Sequence, residues 1–439
     1  MTAHPYHPFM LRALALAELS RGDTCPNPVV GAVLIKDGRI VAEGRHGHYG
    51  GPHAEIEALN QAARQGIDPA GCTLVVTLEP CAHYGKTPPC CEAIAAAGIR
   101  HVVVGLADPT PRAGGGAACL RAAGVRVDMG VAGDLVARQL ADFIFWQTSD
   151  LPFITLKLAA TLDGAIATRS GESRWITGPA ARRRVHELRS TAQAVMVGGN
   201  TFRQDNPSLT CRLSEPPQET CSGAGLGLFP GAGRANLLEA ATRPQPLAVV
   251  VTACLPEATG DYQLLQTRAA QTIFLTSAAA AQTPAAEALR GLGAFVIAPP
   301  SVPLSALPGE EGVGGLCMET MLHNLATLRR EFNCCRILCE GGGRLGLFLL
   351  RQGLARYFEL HSAPLIMGDD QAVRLFSGLD PTRLSQALRL RLLLQGRAGE
   401  DMITLWEASG GQEGTPRPFL DLPAPGNDPL DPACGYGLK

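Results

Sequence analysis

Apolar positions fall along this chain in short blocks, and the period inside them switches between helix-like and strand-like. Residues 9–19 are rich in Ala and Leu and predict a helix, closed by Ser20-Arg21-Gly22. The run 29–35 is continuously apolar and predicts a buried strand. Lys36-Asp37-Gly38-Arg39 then reads as a hairpin turn with 40–43 as the return. A helix is expected from about His53 through Ala58, Leu59 and Ala62, a strand over 73–78, a helix over 89–97 and a strand over 101–106. A helix over 117–123, a strand over 125–129 and a helix-like segment over 131–149 follow. Strands alternating with helices after an opening hairpin imply a layered α/β domain.

Asp150-Leu151-Pro152 breaks this rhythm and sets the expected boundary, with a first domain over 1–149 and a second over 150–408. The second opens with a strand over 153–158 and the turn Asp163-Gly164. A helix over 180–190 and a strand over 194–198 lead to Asp205-Asn206-Pro207, a turn. Residues 213–243 are rich in Gly, Pro, Ser and Ala and read as an inserted flexible surface loop. Strands over 247–252, 272–275 and 294–297, a helix over 285–292 and a second Gly/Pro-rich loop over 299–315 come next. A strand over 335–339 then runs into Glu340-Gly341-Gly342-Gly343 and a helix to Gln352. The polar, Pro/Gly-rich stretch 409–439 reads as a disordered tail.

Composition narrows the function classes. A chain of 439 residues with 46% apolar and 18% charged residues can build two or three cores. A net charge of −2 and an aromatic content of 5% provide neither a basic nor a stacking surface for nucleic acid. No stretch reaches the roughly 18 uninterrupted apolar residues of a membrane span. Fourteen cysteines in a long chain without a signal-peptide pattern fit a reducing, cytoplasmic location, most of them as small buried hydrophobes.

The chemistry concentrates in one stretch: His53-Ala54-Glu55, then Glu79-Pro80-Cys81, then Cys90 after eight further residues. One histidine and two cysteines fill three corners of a tetrahedral zinc site and leave the fourth for water, as catalytic zinc requires. In zinc deaminases the glutamate of His-x-Glu is no ligand; it shuttles protons during attack on an amidine-like ring carbon. Residues two apart on a helix point about 200° apart. His53 and Glu55 therefore share a pocket only if His53 stands at the helix entry, where Pro52 would place it. Cys81 follows a strand, and Pro89 suits the first helical turn that presents Cys90. Two helix N-termini then face one ion and help keep the thiolates ionised. Any one of these residues alone reads as a core thiol or a surface histidine; the ordered set points to zinc. Cys91, about 100° around the helix from Cys90, reads as a core thiol. In the second domain, a strand ending in Glu340-Gly341-Gly342-Gly343 has the mechanics of an anion-binding turn. It reads equally as a tight strand–helix turn. Arg189 and Arg212 could clamp a phosphate ester, or be solvated surface.

Together these motifs resemble the bifunctional riboflavin-biosynthesis deaminase–reductase family over about residues 8–407. The resemblance rests on Pro26-Asn27-Pro28-Val29-Val30-Gly31, His53-Ala54-Glu55, Thr77-Leu78-Glu79-Pro80-Cys81 and Gly85-Lys86-Thr87-Pro88-Pro89-Cys90-Cys91. It continues in Lys157-Leu158-Ala159-Ala160-Thr161-Leu162-Asp163-Gly164, Ser170-Gly171-Glu172-Ser173-Arg174-Trp175-Ile176-Thr177, Asp205-Asn206-Pro207-Ser208-Leu209-Thr210 and Glu340-Gly341-Gly342. The eight-residue gap between the cysteines is the most specific feature, since cytidine and tRNA-adenosine deaminases usually have two residues there. The chain departs from the usual pattern at Thr110, at Ala141-Asp142-Phe143, at Ala355-Arg356-Tyr357-Phe358-Glu359-Leu360, and at Gly343 and Arg344.

The resemblance implies a cytidine-deaminase-like α/β/α domain followed by an α/β domain of dihydrofolate-reductase-like fold. It implies zinc on His53, Cys81 and Cys90, Glu55 as proton carrier, and Asn27, Lys86 and Asp108 lining the deaminase pocket. For NADPH it implies Ala159, Trp175, Thr201 and Asp205 with Gly342, Gly343, Arg344, Leu345, Gly346, Leu347 and Phe348. For substrate it implies Ser173, Arg189, Leu209, Arg212 and Glu340, the arginines meeting the phosphate, while Lys157 and Asp163 position or polarise the reacting carbon. The expected reactions are hydrolytic removal of the 2-amino group of 2,5-diamino-6-(5-phosphoribosylamino)pyrimidin-4(3H)-one and NADPH-dependent reduction of ribosyl to ribityl. A dimer or tetramer is implied by the family alone. Three rivals stand beside this reading: a nucleoside or tRNA deaminase with an accessory domain, a deaminase with a degenerate reductase domain, and a non-catalytic zinc-stabilised binding protein.

Overall fold

The computed structural model describes residues 4–84, 88–110, 114–213, 244–300, 316–379 and 381–408. The expected insert (apart from Leu213), the tail over 409–439, and Lys86 lie outside the described residues. What is described forms two compact units that divide between Thr148 and Ser149.

The first unit is built on a five-stranded sheet of β1 (Gly31–Lys36), β2 (Arg39–Arg45), β3 (Thr73–Leu78), β4 (His101–Leu106) and β5 (Arg126–Met129), in the order β2-β1-β3-β4-β5. β1 pairs antiparallel with β2 and β3, and β3, β4 and β5 run parallel. β1, β3 and β4 are buried along nearly their whole length, as strands covered on both faces must be, hence their unbroken apolar runs. Helices α1 (His7–Glu18) and α5 (Gly133–Gln139) pack together; α2 (Ala54–Arg64), α3 (Cys90–Ala96) and α4 (Gly116–Ala122) form a second layer. The helix expected over 131–149 is in fact two, α5 and α6 (Ala141–Thr148). The Gln139 carbonyl accepts from the Arg21 guanidinium at 2.7 Å, and the Phe143 N–H donates to the Asp142 carboxylate at 2.8 Å, so the helical ladder parts there.

The second unit carries a nine-stranded sheet. Its strands are β6 (Phe153–Thr161), β8 (Ala194–Gly198), β9 (Leu247–Val251), β10 (Thr272–Leu275), β11 (Phe295–Ile297), β12 (Arg336–Cys339), β13 (Ala355–Ala363), β15 (Leu390–Ala398) and β16 (Asp401–Ala408). The order is β11-β10-β9-β8-β12-β6-β13-β16-β15, and β7 (Ala165–Ala167) with β14 (Val373–Arg374) makes a small separate sheet. The strands from β11 to β13 are parallel, whereas β13, β16 and β15 are antiparallel neighbours. Helices α7 (Pro179–Thr191), α8 (Gly199–Asp205), α9 (Gln263–Arg268), α10 (Pro284–Gly291), α11 (Met318–Phe332) and α12 (Gly343–Arg351) connect them. The chain runs outward from β6 through β8, β9, β10 and β11, then returns to insert β12 between β6 and β8. That reversal opens a crevice at the carboxyl ends of β8 and β12, where ligands of open α/β sheets bind.

Candidate active sites

In the first unit His53 caps α2 with extended backbone (ψ 160°), so its ring leaves the helix entry sideways while Glu55 sits buried in the first turn. The helix reaches this position because Gly44 on β2 has no side chain: a Cβ there would lie 2.1 Å from the Ala54 carbonyl oxygen. Cys81 leaves the end of β3, and Cys90 opens α3 with Pro89 as its cap. The Cys90 N–H donates to Cys81 Sγ at 3.4 Å, and the Cys91 N–H to the Cys81 carbonyl at 3.3 Å.

His53 Nδ1 stands 3.5 Å from Cys81 Sγ and 3.3 Å from Cys90 Sγ, and the three donor atoms lie within 4.8 Å of one another. Tetrahedral zinc bonds of about 2.3 Å to sulfur and about 2.05 Å to nitrogen set the sulfur–nitrogen spacing near 3.5 Å. The donor set therefore fits that ion in distance and in chemistry. The Cys81 thiol is pulled down to about 4 by hydrogen bonding with Cys90 and His53 against the opposing effect of burial. Burial pushes the Glu55 carboxyl above its ordinary value, only partly opposed by His53. A third cysteine or second histidine that would close the site is not part of this group among the described residues.

A cavity of about 440 Å³ opens over these groups, lined among others by Asn27, His46, His53, Glu55, Cys81 and Asp108. Asn27 and Asp108 are therefore brought to the site as expected from the resemblance. At Thr110 the backbone N–H donates to Asp108 Oδ1 at 2.8 Å, and its hydroxyl binds the same oxygen. Sequence reasoning passed over two residues here. His46 binds the Pro52 carbonyl through Nδ1 at 2.9 Å and the Asn27 amide through Nε2 at 3.3 Å, with its ring edge-on to His53. Glu79 accepts the N–H groups of Asp108, Gly115 and Ala117 at 3.1, 3.2 and 2.9 Å, tying the cavity's Asp108 loop to the strand end that delivers Cys81. His46 sits at no diagnostic spacing, and Glu79, though part of the Glu79-Pro80-Cys81 motif, shows its role as an acceptor of backbone N–H groups only in the fold.

In the second unit a cavity of about 450 Å³ lies at the crevice between β8 and β12, and Ser173, Trp175, Arg189, Thr201, Asp205 and Glu340 line it. Leu209 and Arg212 reach it as well. Arg189 grips Glu340 with two bonds of 2.6 and 2.7 Å and donates a third to the Thr210 carbonyl at 2.8 Å. Burial raises the Glu340 carboxyl, but Arg189 outweighs it and holds the group below its ordinary value. Much of Arg189 is thus already engaged. Exposed Arg212, steadied by Ser208 Oγ at 2.8 Å and Thr210 Oγ1 at 3.0 Å, is the freer cation. The Trp175 ring is 68% exposed and carries the Arg182 guanidinium 4.6 Å above it, a flat face ready for stacking.

The glycine turn behaves differently along its length. The Gly342 N–H donates to Thr201 Oγ1 at 3.2 Å, joining the starts of α8 and α12. A Cβ on Gly343 would lie 2.0 Å from the Leu375 carbonyl oxygen, which explains a glycine at this departure from the family pattern. Leu345 and Phe348 point into the hydrophobic core, and Gly346 packs on Leu156, so this part of the run offers backbone more than side chains. Lys157, Ala159 and Asp163 do not line the cavity. Lys157 is buried on β6. The Asp163 carboxylate is taken up by the Thr161 hydroxyl at 2.6 Å and the N–H groups of Met367 and Gly368 at 3.2 and 2.8 Å.

A layered deaminase-type fold with an open-sided His/Cys/Cys centre, followed by a parallel-sheet unit with a crevice flanked by arginines, defines a two-headed nucleotide-processing enzyme. Comparison with known proteins makes this specific. The family model for the cytidine and deoxycytidylate deaminase zinc-binding region matches residues 4–106, and that for the RibD C-terminal domain matches residues 152–404. The riboflavin biosynthesis protein RibD of Aquifex aeolicus (strain VF5) is 34% identical over 401 residues, which cover 91% of this chain and 97% of that protein. RibD of Synechocystis sp. is 36% identical over 397 residues, or 90% of this chain and 94% of that one. Among solved structures, the diaminohydroxyphosphoribosylaminopyrimidine deaminase/5-amino-6-(5-phosphoribosylamino)uracil reductase of Thermotoga maritima aligns with a TM-score of 0.70 at 32% identity, covering 92% of this chain and 99% of that one. Acinetobacter baumannii RibD follows with a TM-score of 0.67 at 31% identity and the same coverage.

The chain belongs to the RibD family. It is a bifunctional deaminase and reductase of riboflavin biosynthesis, using zinc in the first unit and NADPH in the second, on a small pyrimidine ribose-phosphate. The match over 152–404 removes the reading of the second half as an unrelated accessory domain. Among the described residues no helix is long and apolar enough to cross a membrane.

Proposed function

We propose that His53, Cys81 and Cys90 hold the zinc and that Glu55 carries the protons of deamination. Supporting this is one observation above the rest: three donor atoms gathered within 4.8 Å beside a buried carboxylate at the floor of a cavity. Zinc, when bound there, supplies a water whose pKa falls from about 15.7 toward 7. Glu55 takes a proton at its carboxylate and returns it to the departing amino group, and its burial favours the protonated form it must pass through. Asn27 and Asp108 orient the pyrimidine, with His46 fixing the Asn27 amide. By the Thermotoga relative, the substrate is the 2,5-diamino-6-(5-phosphoribosylamino)pyrimidinone and the product 5-amino-6-(5-phosphoribosylamino)uracil. We place both reactions in a reducing cytoplasm, since the twelve described cysteines are all unbridged.

In the second unit NADPH, when bound, supplies a hydride for the open-chain ribose carbon. Trp175, Thr201 and the first turn of α12 hold the cofactor, Arg212 meets the phosphate, and Glu340 with Lys157 faces the reacting end. The test is Glu55→Gln: ammonia release should fall by a factor of at least about 10² while zinc content and NADPH oxidation on the deaminated substrate persist. Ammonia release near the wild-type rate would overturn the role given to Glu55.

A further inference from the structure

The chain contains four lysines, Lys36, Lys86, Lys157 and Lys439, among 38 basic residues. Lys157 lies buried in the middle of the large sheet, and the strand register explains its setting. Leu156 pairs with Cys339 on β12 and with Phe358 on β13, so Lys157 stands between Glu340 on one side and Glu359 on the other. These three side chains, with His361 two residues beyond Glu359, share one face of the sheet. Helix α7 supplies an arginine to each carboxylate. Arg189 holds Glu340 at 2.6 and 2.7 Å, and Arg184 holds Glu359 at 3.0 Å through Nε and again at 3.0 Å through Nη2. His361 Nε2 donates to Glu359 Oε1 at 3.0 Å. Asp401 on β16 also faces the lysine, its Oδ2 accepting the Gly178 N–H at 2.8 Å. With its neighbours so engaged, Lys157 makes no side-chain hydrogen bond among the described residues.

We propose that the Arg184–Glu359 pair, braced by His361, is a positioning device of the reductase that keeps the Lys157 ammonium charged yet unbridged, free to meet the substrate. This rests on the reading that Lys157, which stands beside the lining residue Glu340 without itself lining the cavity, reaches the reacting carbon once substrate is seated. The physical reason is a balance between two failures. A carboxylate with no arginine on it would close onto Lys157 and withdraw it from the site. With no carboxylate there at all, burial would strip the proton from the amine. Arg184 resolves this by occupying both oxygens of Glu359 while leaving its field in place. Burial draws the Lys157 amine below its ordinary value, and Glu340, Glu359 and Asp401 oppose the fall while Arg189 adds to it. Burial, with Lys157 nearby, lowers His361 to about 4, so at neutral pH it acts as a neutral donor.

The experiment is an NMR titration of the full chain with ¹³C-labelled lysine, in which four signals are few enough to resolve and Lys157→Met assigns the one in question. Lys157 should titrate below exposed Lys36. In Glu359→Gln its titration should move down by about one pH unit, a tenfold change in the protonation constant. The alkaline limb of NADPH oxidation should shift the same way, with ammonia release unchanged. Glu359→Asp should restore part of the shift. If Glu359→Gln does not fold, the double variant Arg184→Met/Glu359→Gln removes both members of the pair, leaves Glu187 to Arg183 at 3.7 Å, and should show the same downward movement. A Lys157 signal that titrates as in the wild type in the folded variant would overturn the proposal, whatever happened to the rate. Undiminished NADPH oxidation by Lys157→Met would instead overturn the role given to Lys157 itself, and leave the titration result standing.

Discussion

Arg21 sits 3% exposed inside the deaminase unit and meets Asp142 at 2.8 Å, Glu18 through a close bidentate contact, and the Gln139 carbonyl at 2.7 Å. Asp142, within the Ala141-Asp142-Phe143 segment that departs from the family's usual Asn-containing version, has its partner in this arginine. Replacing Arg21 with Met should destabilise the first unit by about 3–5 kcal/mol, because two carboxylates lose their shared cation inside the protein. Thermal unfolding would show it as a lowered transition for that unit, and an unchanged transition would mean water already compensates these charges. The same residue-scale view explains what the sequence disclosed about the site. His53, Glu55, Cys81 and Cys90 were legible because their chemistry is carried by types and spacings close along the chain. His46 and Glu79 act through backbone carbonyls and N–H groups, and any residue type can supply those. Glu359 was hidden for another reason: its arginine lies 175 positions away.

Asp163 illustrates how one side chain fastens an element. It pins the turn between β6 and β7 to the N–H groups of Met367 and Gly368, and hydrogen bonds from Thr161 and those amides lower its carboxyl from 3.8 to about 2. A depressed folded-state value means the fastening is fully present above about pH 4 and is lost as pH falls toward 2. Hydrogen exchange at Met367 and Gly368 should therefore accelerate relative to the intrinsic rate across that window, and Asp163→Asn should remove the pH dependence. Nearby, Gly343→Ala forces a Cβ against the Leu375 carbonyl and should cost the second unit about 1–3 kcal/mol. A variant as stable as the wild type would show that the α12 entry can shift. Elements that the apolar runs predicted, such as β3, β4, β8 and β10, are buried on both faces. The strands β13, β16 and β15 at the antiparallel end of the sheet escaped because they mix charged residues with apolar ones, and β15, at the edge, is largely uncovered. Helix α11 was legible in principle, since Met321, Leu325 and Leu328 make a buried stripe at helical spacing, but it follows a Gly/Pro-rich stretch that masked its start.

At the scale of the whole molecule, each of the two compact units carries a cavity of its own, one over the His53, Cys81 and Cys90 group and one at the crevice beside Arg189 and Glu340. Stripping zinc with a chelator should abolish ammonia release and leave NADPH oxidation on the deaminated substrate intact; parallel loss of both would show that the reductase depends on the metal. The central claim is that the metal centre is held by one imidazole and two thiolates with a side left open. X-ray absorption at the zinc edge of the full chain tests it most directly. We expect one zinc per chain with two sulfur neighbours at about 2.3 Å, one histidine nitrogen and one further light atom that exchanges with solvent. A third sulfur, a second histidine, or purified protein that binds no zinc would contradict the account.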